Sequence, residues 1–374
     1  MSAAKPSLEL LRALSDTHVL EALVDARRAT RAELAASTGI SKPTVAESVR
    51  RLAEAGVVVD TGERTTGPGR VGTFFGLAPG VGLALAVAIA PDGVVVRALD
   101  VHGDVLAEQT ATVTRPARPR DVATSLRTVA RRVARTVGAP VRLAVVSAAD
   151  PVGRADGRLV HLPDAPFLIG DLAPVDVLRS VVEGPVTVDN DVNWAARAEL
   201  AVTPEVGDAC YLHLGEGLGA AVVSDGEVRR GAAGFAGEVS HVVTAGPGGL
   251  AMPFTEVFAR LGVRVRDSAA VDVAAVLALL AGPERAAVGV VAGAVAGVVA
   301  AAVGLVDPAV VVLGGEWGTH PALVAAVHDV VTTLARPVPV RPATVVDAPA
   351  LTGASAAAVT ALRRHVVDYR SHPA

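Results

Sequence analysis

The sequence predicts an α/β protein in which a small helical unit precedes a larger domain built in two lobes. The length of 374 residues exceeds the roughly 100–200 that form a typical domain. Apolar residues recur at helical spacing up to residue 55, whereas from residue 79 onward short apolar runs and turn signals alternate with helical stretches. With 51% hydrophobic but 3% aromatic residues, the core is predicted to consist of Ala, Val and Leu.

The first helices are predicted from apolar spacing and capping residues. The leucines of Leu8–Leu14 and the apolar group Val19–Leu23 both have helical spacing, and Asp16-Thr17 between them predicts the start of a second helix. A capping-box pattern that begins at Thr30 predicts a third helix ending at Gly39.

A fourth helix, with Ser41 as its N-cap, is predicted to continue to about Ala55. Two helices joined by a tight glycine turn have the spacing of a helix-turn-helix, whose second helix enters the major groove of DNA. Short polar and basic side chains near the start of that helix suit phosphates and base edges. The predicted DNA contacts of this helix are Ser41, Lys42, Thr44, Ser48 and Arg51.

The segment after this helix predicts a β-wing. Val57–Val59 and Thr73–Leu77 are predicted strands, and the loop between them is rich in Gly, Pro and Arg. A wing would place Arg64 and Arg70 beside the minor groove. An ordinary helical hairpin is the alternative, and the wing argues against it.

The charge distribution adds weak support for a nucleic-acid partner. The whole chain has a net charge of −4, but residues 27–51 carry six Lys/Arg and two Asp/Glu. The expected partner is a double-stranded operator with an inverted repeat, bound by a homodimer or homotetramer.

The larger domain is predicted to begin with three strands and an amphipathic helix. The strands are Leu83–Ile89, Val94–Leu99 and Val105–Thr112, and the helix is Asp121–Val137, whose arginines form a solvated face. Further predicted elements are the strands Val141–Val146, Val186–Val188, Ala209–Leu214, Ala220–Ser224 and Val310–Leu313, and the helices Asn193–Ala201 and Gly353–Val367.

The cellular location is expected to be cytoplasmic. The single cysteine, Cys210, excludes a disulfide framework, and the N-terminus lacks the pattern of a signal peptide. Ala286–Val306 is uncharged and long enough to span a membrane. However, Asp307-Pro308 ends it abruptly, and no aromatic or basic cluster flanks it, so a buried helix is the preferred interpretation and no membrane partner is expected.

The larger domain contains four short motifs, which are Val188–Glu199, Leu214–Ala220, Gly231–His241 and Val311–Gly315. In this order they resemble the signatures of the ROK family (repressors, open reading frames and kinases). The resemblance implies a two-lobed actin/hexokinase-like (ribonuclease H-like) domain behind the winged helix-turn-helix, in the repressor branch of the family. The expected boundaries are 1–78 for the DNA-binding domain, 79–185 for the first lobe and 186–352 for the second, with helix 353–367 packing back on the first lobe.

The resemblance also implies a sugar-binding site. Its members are Asn190, Asp191, Glu238, His241 and Glu256, although another alignment places Ala251 at the position of the last. Taken without the resemblance, Asn190-Asp191 could simply cap the helix that follows, and His241 could be structural.

The departures from the family's kinases argue against catalysis. Ala88 stands where the kinases have an aspartate, Ala90-Pro91 replaces phosphate-binding glycines, and Glu216 replaces a threonine of the second phosphate loop. The zinc-binding cysteines that follow His241 in the family are missing, and the family's Pro-Gly-Pro loop is altered at Ala148–Val152. The expectation is therefore a protein without enzymatic activity, cofactor or metal.

Three functions remain open at this point. The leading one is a transcriptional repressor whose DNA affinity responds to a sugar or sugar phosphate in the cleft between the lobes. The alternative is a regulator that has lost effector binding and is controlled by another partner. An active sugar kinase with an additional domain is disfavoured by Ala88.

Overall fold

The N-terminal domain packs three helices against a small antiparallel sheet with the strand order β1-β3-β2. The computed structural model describes residues 8–66, 71–162 and 167–368. The elements of this domain are α1 (Leu8–Ala26), β1 (Arg28–Thr30), α2 (Arg31–Thr38), α3 (Lys42–Glu54), β2 (Val58–Arg64) and β3 (Thr73–Leu77).

Local capping sets the boundaries of α2 and α3 where the sequence predicts them. Thr30 and Glu33 form a reciprocal capping box, and Gly39 ends α2 in the left-handed region at φ 70°. The Ser41 side chain caps α3 by accepting from the backbone N–H of Thr44. The winged helix-turn-helix is thus confirmed, whereas β1 had no sequence signal in its three residues.

The predicted break at Asp16-Thr17 is wrong, because α1 is one continuous helix. Asp16 does not cap a helix. Its carboxylate is buried, with 1% of the residue exposed, and accepts hydrogen bonds from Ser48 and Arg51 of α3. The hydrogen-bond partners of Asp16 therefore come from α3, which is distant in sequence, and a local sequence pattern could not predict them.

The first lobe is a five-stranded sheet with the order β6-β5-β4-β7-β8. Helix α4 packs on one face of it, against β5 and β6. Because β8 pairs in parallel with β7, this lobe continues to Asn190, which corrects the expected boundary at residue 185. Its elements are β4 (Leu83–Ala90), β5 (Gly93–Leu99), β6 (Val105–Thr112), α4 (Pro119–Val137), β7 (Val141–Ala148), α5 (Pro174–Leu178) and β8 (Val186–Asn190).

The second lobe is built on another five-stranded sheet with the order β11-β10-β9-β14-β15 and on a separate strand pair, β12-β13. Three of its helices are short or uniformly apolar and were not singled out by sequence patterns, namely Phe254–Arg260, Val273–Ala281 and Pro321–Val331. The remaining elements are α6 (Asp191–Val202), β9 (Ala209–Leu214), β10 (Leu218–Ser224), β11 (Glu227–Arg229), β12 (Val243–Ala245), β13 (Ala251–Pro253), α7 (Phe254–Arg260), α8 (Val273–Ala281), α9 (Arg285–Val306), β14 (Val310–Gly314), α10 (Pro321–Val331), β15 (Val340–Pro342) and α11 (Pro349–Val367).

Helix α11 returns to the first lobe and lies across β4 and β7 on the face opposite α4. Ala354, Ala358 and Leu362 are fully buried there, and α11 also packs closely along α6. At Gly353 the approach is so close that a side chain would overlap the backbone carbonyl of Trp194.

By length and composition α9 could cross a membrane, but half of its most apolar segment is buried within the second lobe. Its valines join a core that includes Phe254, Phe258 and Trp317. In this structure α9 is therefore a core helix of a folded lobe.

Candidate functional site

The start of α3 presents the predicted major-groove contacts to solvent. Ser41, Lys42 and Thr44 are all exposed. The Ser41 and Thr44 hydroxyls lie 2.8 Å apart and hydrogen-bond each other, which fixes both groups at the helix N-terminus. This end of the helix also carries the positive pole of the helix dipole, which favours an anionic partner such as a phosphate.

Two of the predicted DNA contacts face the protein instead. Ser48 is fully buried, and its hydroxyl donates to Asp16. The Arg51 side chain is 17% exposed, and its guanidinium lies 2.6 Å from the same carboxylate. Ser48 follows the buried Val45 by three positions, so helical periodicity places it on the core stripe, and its assignment to the DNA surface is wrong.

The structure describes the two strands of the wing but not residues 67–70 at its tip. Arg64 ends β2 half exposed and forms an ion pair with Asp60 at 2.8 Å, so its guanidinium is held near the surface of the wing. Arg70 lies outside the described residues, and its role stays a prediction.

A cavity of about 260 Å³ lies between the two lobes. Asn190, Asp191, Glu238 and His241 all line it, from both sides. Glu256 does not: its neighbour Thr255 lines the cavity, while Glu256 forms an ion pair with Arg260 on the next turn of α7. The structure therefore brings together four of the five predicted ligand-binding residues.

The first-lobe sheet positions the Asn190-Asp191 pair. Parallel strands β7 and β8 end side by side, with Ala148 paired to Asn190, so the residues that follow both strands meet at one edge of the sheet. The Asn190 amide is engaged there, since Oδ1 accepts from Val192 N–H at 2.9 Å and Nδ2 donates to the carbonyls of Ala148 and Asp150. Asn190 thus caps α6 and joins the two strand ends, and Asp191 presents its carboxyl to the cleft.

Sequence reasoning missed Asp150, which lies on the loop after β7. The residue is 1% exposed, lines the cavity, and its Oδ2 has no hydrogen-bond partner among the described residues. Burial raises the pKa of this carboxyl to about 7. The Leu168 N–H opposes that shift, and the nearby Asp191 and Glu238 carboxyls add to it. Its position after a buried strand parallel to β8 was the signal that could have found it.

Two further residues of the cleft, His213 and Glu316, come from the ends of β9 and β14. Desolvation raises the pKa of the Asp191 carboxyl; His213 counteracts this shift and Glu316 increases it. The Glu238 side chain is open to the cleft, yet restricted solvation there and the charge of Asp191 raise its pKa to about 7. Coupled carboxyls with raised pKa values are a frequent mark of a ligand site.

The part of the cleft where a kinase of this fold would hold phosphate is lined by acidic side chains and a proline. Ala90, Pro91 and Asp92 line that part of the cleft from the first lobe, and Glu216 lines it from the second. Arg115 bridges the two sides by bonding Glu216 at 2.7 Å, with Asp92 at 3.4 Å. Carboxylates and proline replace the free backbone amides that would cradle a phosphate.

Comparison with known proteins agrees with both domains. Residues 85–256 match the model of the ROK family, and residues 13–59 match that of a winged helix-turn-helix DNA-binding domain. The chain is 27% identical over 244 residues to the xylose repressor of Caldicellulosiruptor bescii, which covers 62% of this chain and 59% of that protein. A glucokinase of Halalkalibacterium halodurans is 36% identical over 78 residues, covering 20% of this chain and 23% of that enzyme.

Solved structures support the fold over nearly the whole chain. A ROK family transcriptional regulator, described as a homologue of the E. coli MLC protein, superposes with a TM-score of 0.63 at 16% identity, covering 96% of this chain and 98% of that one. A ROK hexokinase from Thermus thermophilus has a TM-score of 0.57 at 24% identity, covering 75% of this chain and 99% of that one. The predicted α/β fold, with its two-lobed domain behind a winged helix-turn-helix, is confirmed.

Proposed function

The chain consists of a winged helix-turn-helix joined to a ROK family domain, and from this premise we propose that it is a sugar-responsive transcriptional repressor. The observation that carries the proposal is the pairing of an exposed DNA-reading helix with an enclosed polar cleft that lacks a phosphate cradle. The C. bescii relative is named a xylose repressor, which supports the same role, although the match spans 59% of that protein. The proposed location is the cytoplasm.

The DNA-binding part of the proposal is tested on operator fragments selected from genomic DNA. Lys42→Ala removes an exposed charge at the start of α3 and should weaken operator binding about tenfold, because one good contact contributes about 1–3 kcal/mol. Arg132→Ala, an exposed arginine of α4 in the ROK domain, is the matched control and should bind as the wild type does. If Lys42→Ala and Thr44→Ala both retain full affinity, the assignment of α3 is wrong.

The wing is tested by the salt dependence of binding. Arg64→Ala and Arg70→Ala should each lower the slope of log affinity against log salt by about one if each arginine contacts a phosphate. We further propose that the operator is an inverted repeat bound by a dimer, since two-fold symmetry in the protein is mirrored in the DNA. The mass of the protein–operator complex in solution, from light scattering, distinguishes a dimer from a tetramer.

We also propose that the ROK domain is not catalytic. Ala88 lies within the sheet, paired with Val95 and Ser147, and offers no carboxylate to a metal–nucleotide complex. Glu216 would repel phosphate. Purified protein should therefore transfer no phosphate from ATP to a panel of hexoses and pentoses; turnover that disappears in Asp191→Asn would show instead that the domain is a kinase.

A further inference from the structure

The cleft between the lobes carries a large excess of acidic groups. Six carboxyl side chains and two histidines line it, with no lysine or arginine among the lining residues that the structure describes. The acidic residues are Asp92, Asp150, Asp191, Glu216, Glu238 and Glu316, and the histidines are His213 and His241. Among these acids, the guanidinium of Arg115 bonds Glu216 and Asp92. Within the described residues, no lysine or arginine forms an ion pair with Asp150, Asp191 or Glu238.

Three of these acids, Asp150, Asp191 and Glu238, are named here the carboxyl cluster. They influence one another electrostatically although they come from three separate segments of the chain: the loop after β7, the start of α6 and the loop before β12. Asp150 is the buried member, and its Oδ2 is an acceptor without a donor in the described part of the chain. A buried carboxylate oxygen without a partner is costly, so a native site that retains one is expected to receive a donor from its ligand.

We propose that the carboxyl cluster is a subsite for a protonated amine, so that the ligand of the cleft is a small amino sugar. The inference rests on the proposed sugar-sensing function and specifies its ligand class. An ammonium group supplies three donors and a positive charge, whereas a hydroxyl supplies one donor and no charge. A sugar phosphate would bring further negative charge to a wall that already repels it.

The ligand of the cluster is an organic cation rather than a metal ion. Across the described ranges 8–66, 71–162 and 167–368, no group of three His, Cys, Asp or Glu residues is placed to hold a metal. The volume of about 260 Å³ instead accommodates a monosaccharide-sized molecule. Its hydroxyls would meet the remaining polar side chains of the cleft, Ser240, His241 and Thr255.

The experiment is isothermal titration calorimetry on the full chain at pH 7 with matched sugars. Glucosamine and mannosamine are each compared with their neutral parents, glucose and mannose, and glucose 6-phosphate is included as the anionic member. At least one amine should bind ten times more tightly than its parent, and glucose 6-phosphate should bind more weakly than glucose.

Two variants identify the group responsible. Asp150→Asn preserves the size of the side chain but removes its charge, and should reduce the preference for the amine over the neutral parent to less than threefold. Asp329→Asn removes an equal charge from an exposed site on α10 and should leave both affinities unchanged. Equal binding of amine and parent by the wild type, or an undiminished preference in Asp150→Asn, would overturn the subsite.

The same titrations separate this inference from the proposed function. Neutral sugars that bind and change operator affinity, without any preference for amines, would leave the repressor proposal standing and remove only the amine subsite. A protein that binds operator but none of these sugars at millimolar concentration would remove both the subsite and sugar sensing.

Discussion

The Asp150 carboxyl is destabilising when ionised, which is expected of a residue kept for binding rather than for folding. Its pKa is raised from an ordinary value of 3.8 to about 7 in the folded protein. Between those values the folded protein keeps a proton that the unfolded chain has released. The free energy of unfolding therefore falls as the pH rises through this window, and the contribution of Asp150 is constant above about pH 7.

Asp150→Asn should consequently raise the melting temperature at pH 8 and have little effect at pH 4. The asparagine can still accept from the Leu168 N–H but carries no charge to bury. At pH 8 the free energy of unfolding of the variant should exceed that of the wild type by roughly 2–4 kcal/mol, since each pKa unit corresponds to about 1.4 kcal/mol. Thermal unfolding of both proteins at the two pH values measures it, and an equal effect at pH 4 and pH 8 would show that ionisation is not the cause.

Arg51 belongs to a second buried charge pair, with Asp16, and the structure gives it a positioning role in place of the predicted contact with DNA. Arg51→Ala removes the cation that is paired with the buried Asp16 carboxylate, and should destabilise the N-terminal domain by about 3–5 kcal/mol. Asp16→Asn combined with Arg51→Ala should recover part of this loss. Denaturant unfolding, followed by hydrogen exchange in α1 and α3, measures the stability of the single and the double variant. If Arg51→Ala weakens operator binding without lowering stability, the predicted contact of Arg51 with DNA would be supported instead.

The long apolar helix α9 contains a Gly-x-x-x-Gly spacing, which is common in membrane helices, and here it serves packing within a folded lobe. Its Gly293-x-x-x-Gly297 spacing allows close approach, and the partner is strand β12. A Cβ at Gly297 would overlap the Thr244 hydroxyl, which donates to the Ala294 carbonyl at 2.8 Å. At Gly293 an added Cβ would meet no described residue outside the helix's own backbone within 4 Å.

The two glycines should therefore respond in opposite directions to alanine. Gly293→Ala should stabilise the protein by up to about 1 kcal/mol through helix propensity, whereas Gly297→Ala should destabilise it because Thr244 must move. Melting temperatures of the two variants test this, each serving as the other's control. A loss of stability in both would mean that a partner outside the described residues covers Gly293.

How far the sequence determined the elements depends on whether their signals were local. The capping box at Thr30 and the turn at Gly39 fixed α2 and α3 because those residues act on their own backbone. Strand β15 and helix α8 were missed, since their positions depend on pairing and packing with distant segments. The same limit explains the site: Asp191 and Glu238 lay in recognisable motifs, whereas Asp150 required the β7–β8 pairing.

The two domains are connected by specific contacts as well as by the chain. Arg27, at the end of α1, forms a two-pronged ion pair with Asp104 in the turn between β5 and β6. In the same turn His102 Nδ1 lies 3.0 Å from the Val24 carbonyl oxygen. Val367 of α11 also packs against the core of the N-terminal domain.

Two helices in contact with each other, α6 and α11, connect the cleft with this interdomain contact. Helix α6 begins at Asp191, packs along α11, and α11 reaches the N-terminal domain. We expect a ligand that moves Asp191 to shift α6 and α11 together, because the backbones of the two helices are in close contact at Gly353. Coupling along this route is measured as the change in operator affinity that the ligand causes.

Asp104→Ala should weaken communication between the domains while preserving each of them. The pair with Arg27 is half exposed and surface ion pairs contribute little to stability, so its loss should leave the melting temperature close to that of the wild type. Operator affinity without ligand and sugar affinity without DNA should both remain within twofold of wild type, whereas the change in operator affinity on adding the sugar should fall at least threefold. Glu108→Ala is the matched control, since it removes a comparably exposed ion pair with Arg97 on the same lobe away from α1. If Asp104→Ala and Glu108→Ala transmit the sugar signal equally well, the interdomain turn does not carry it.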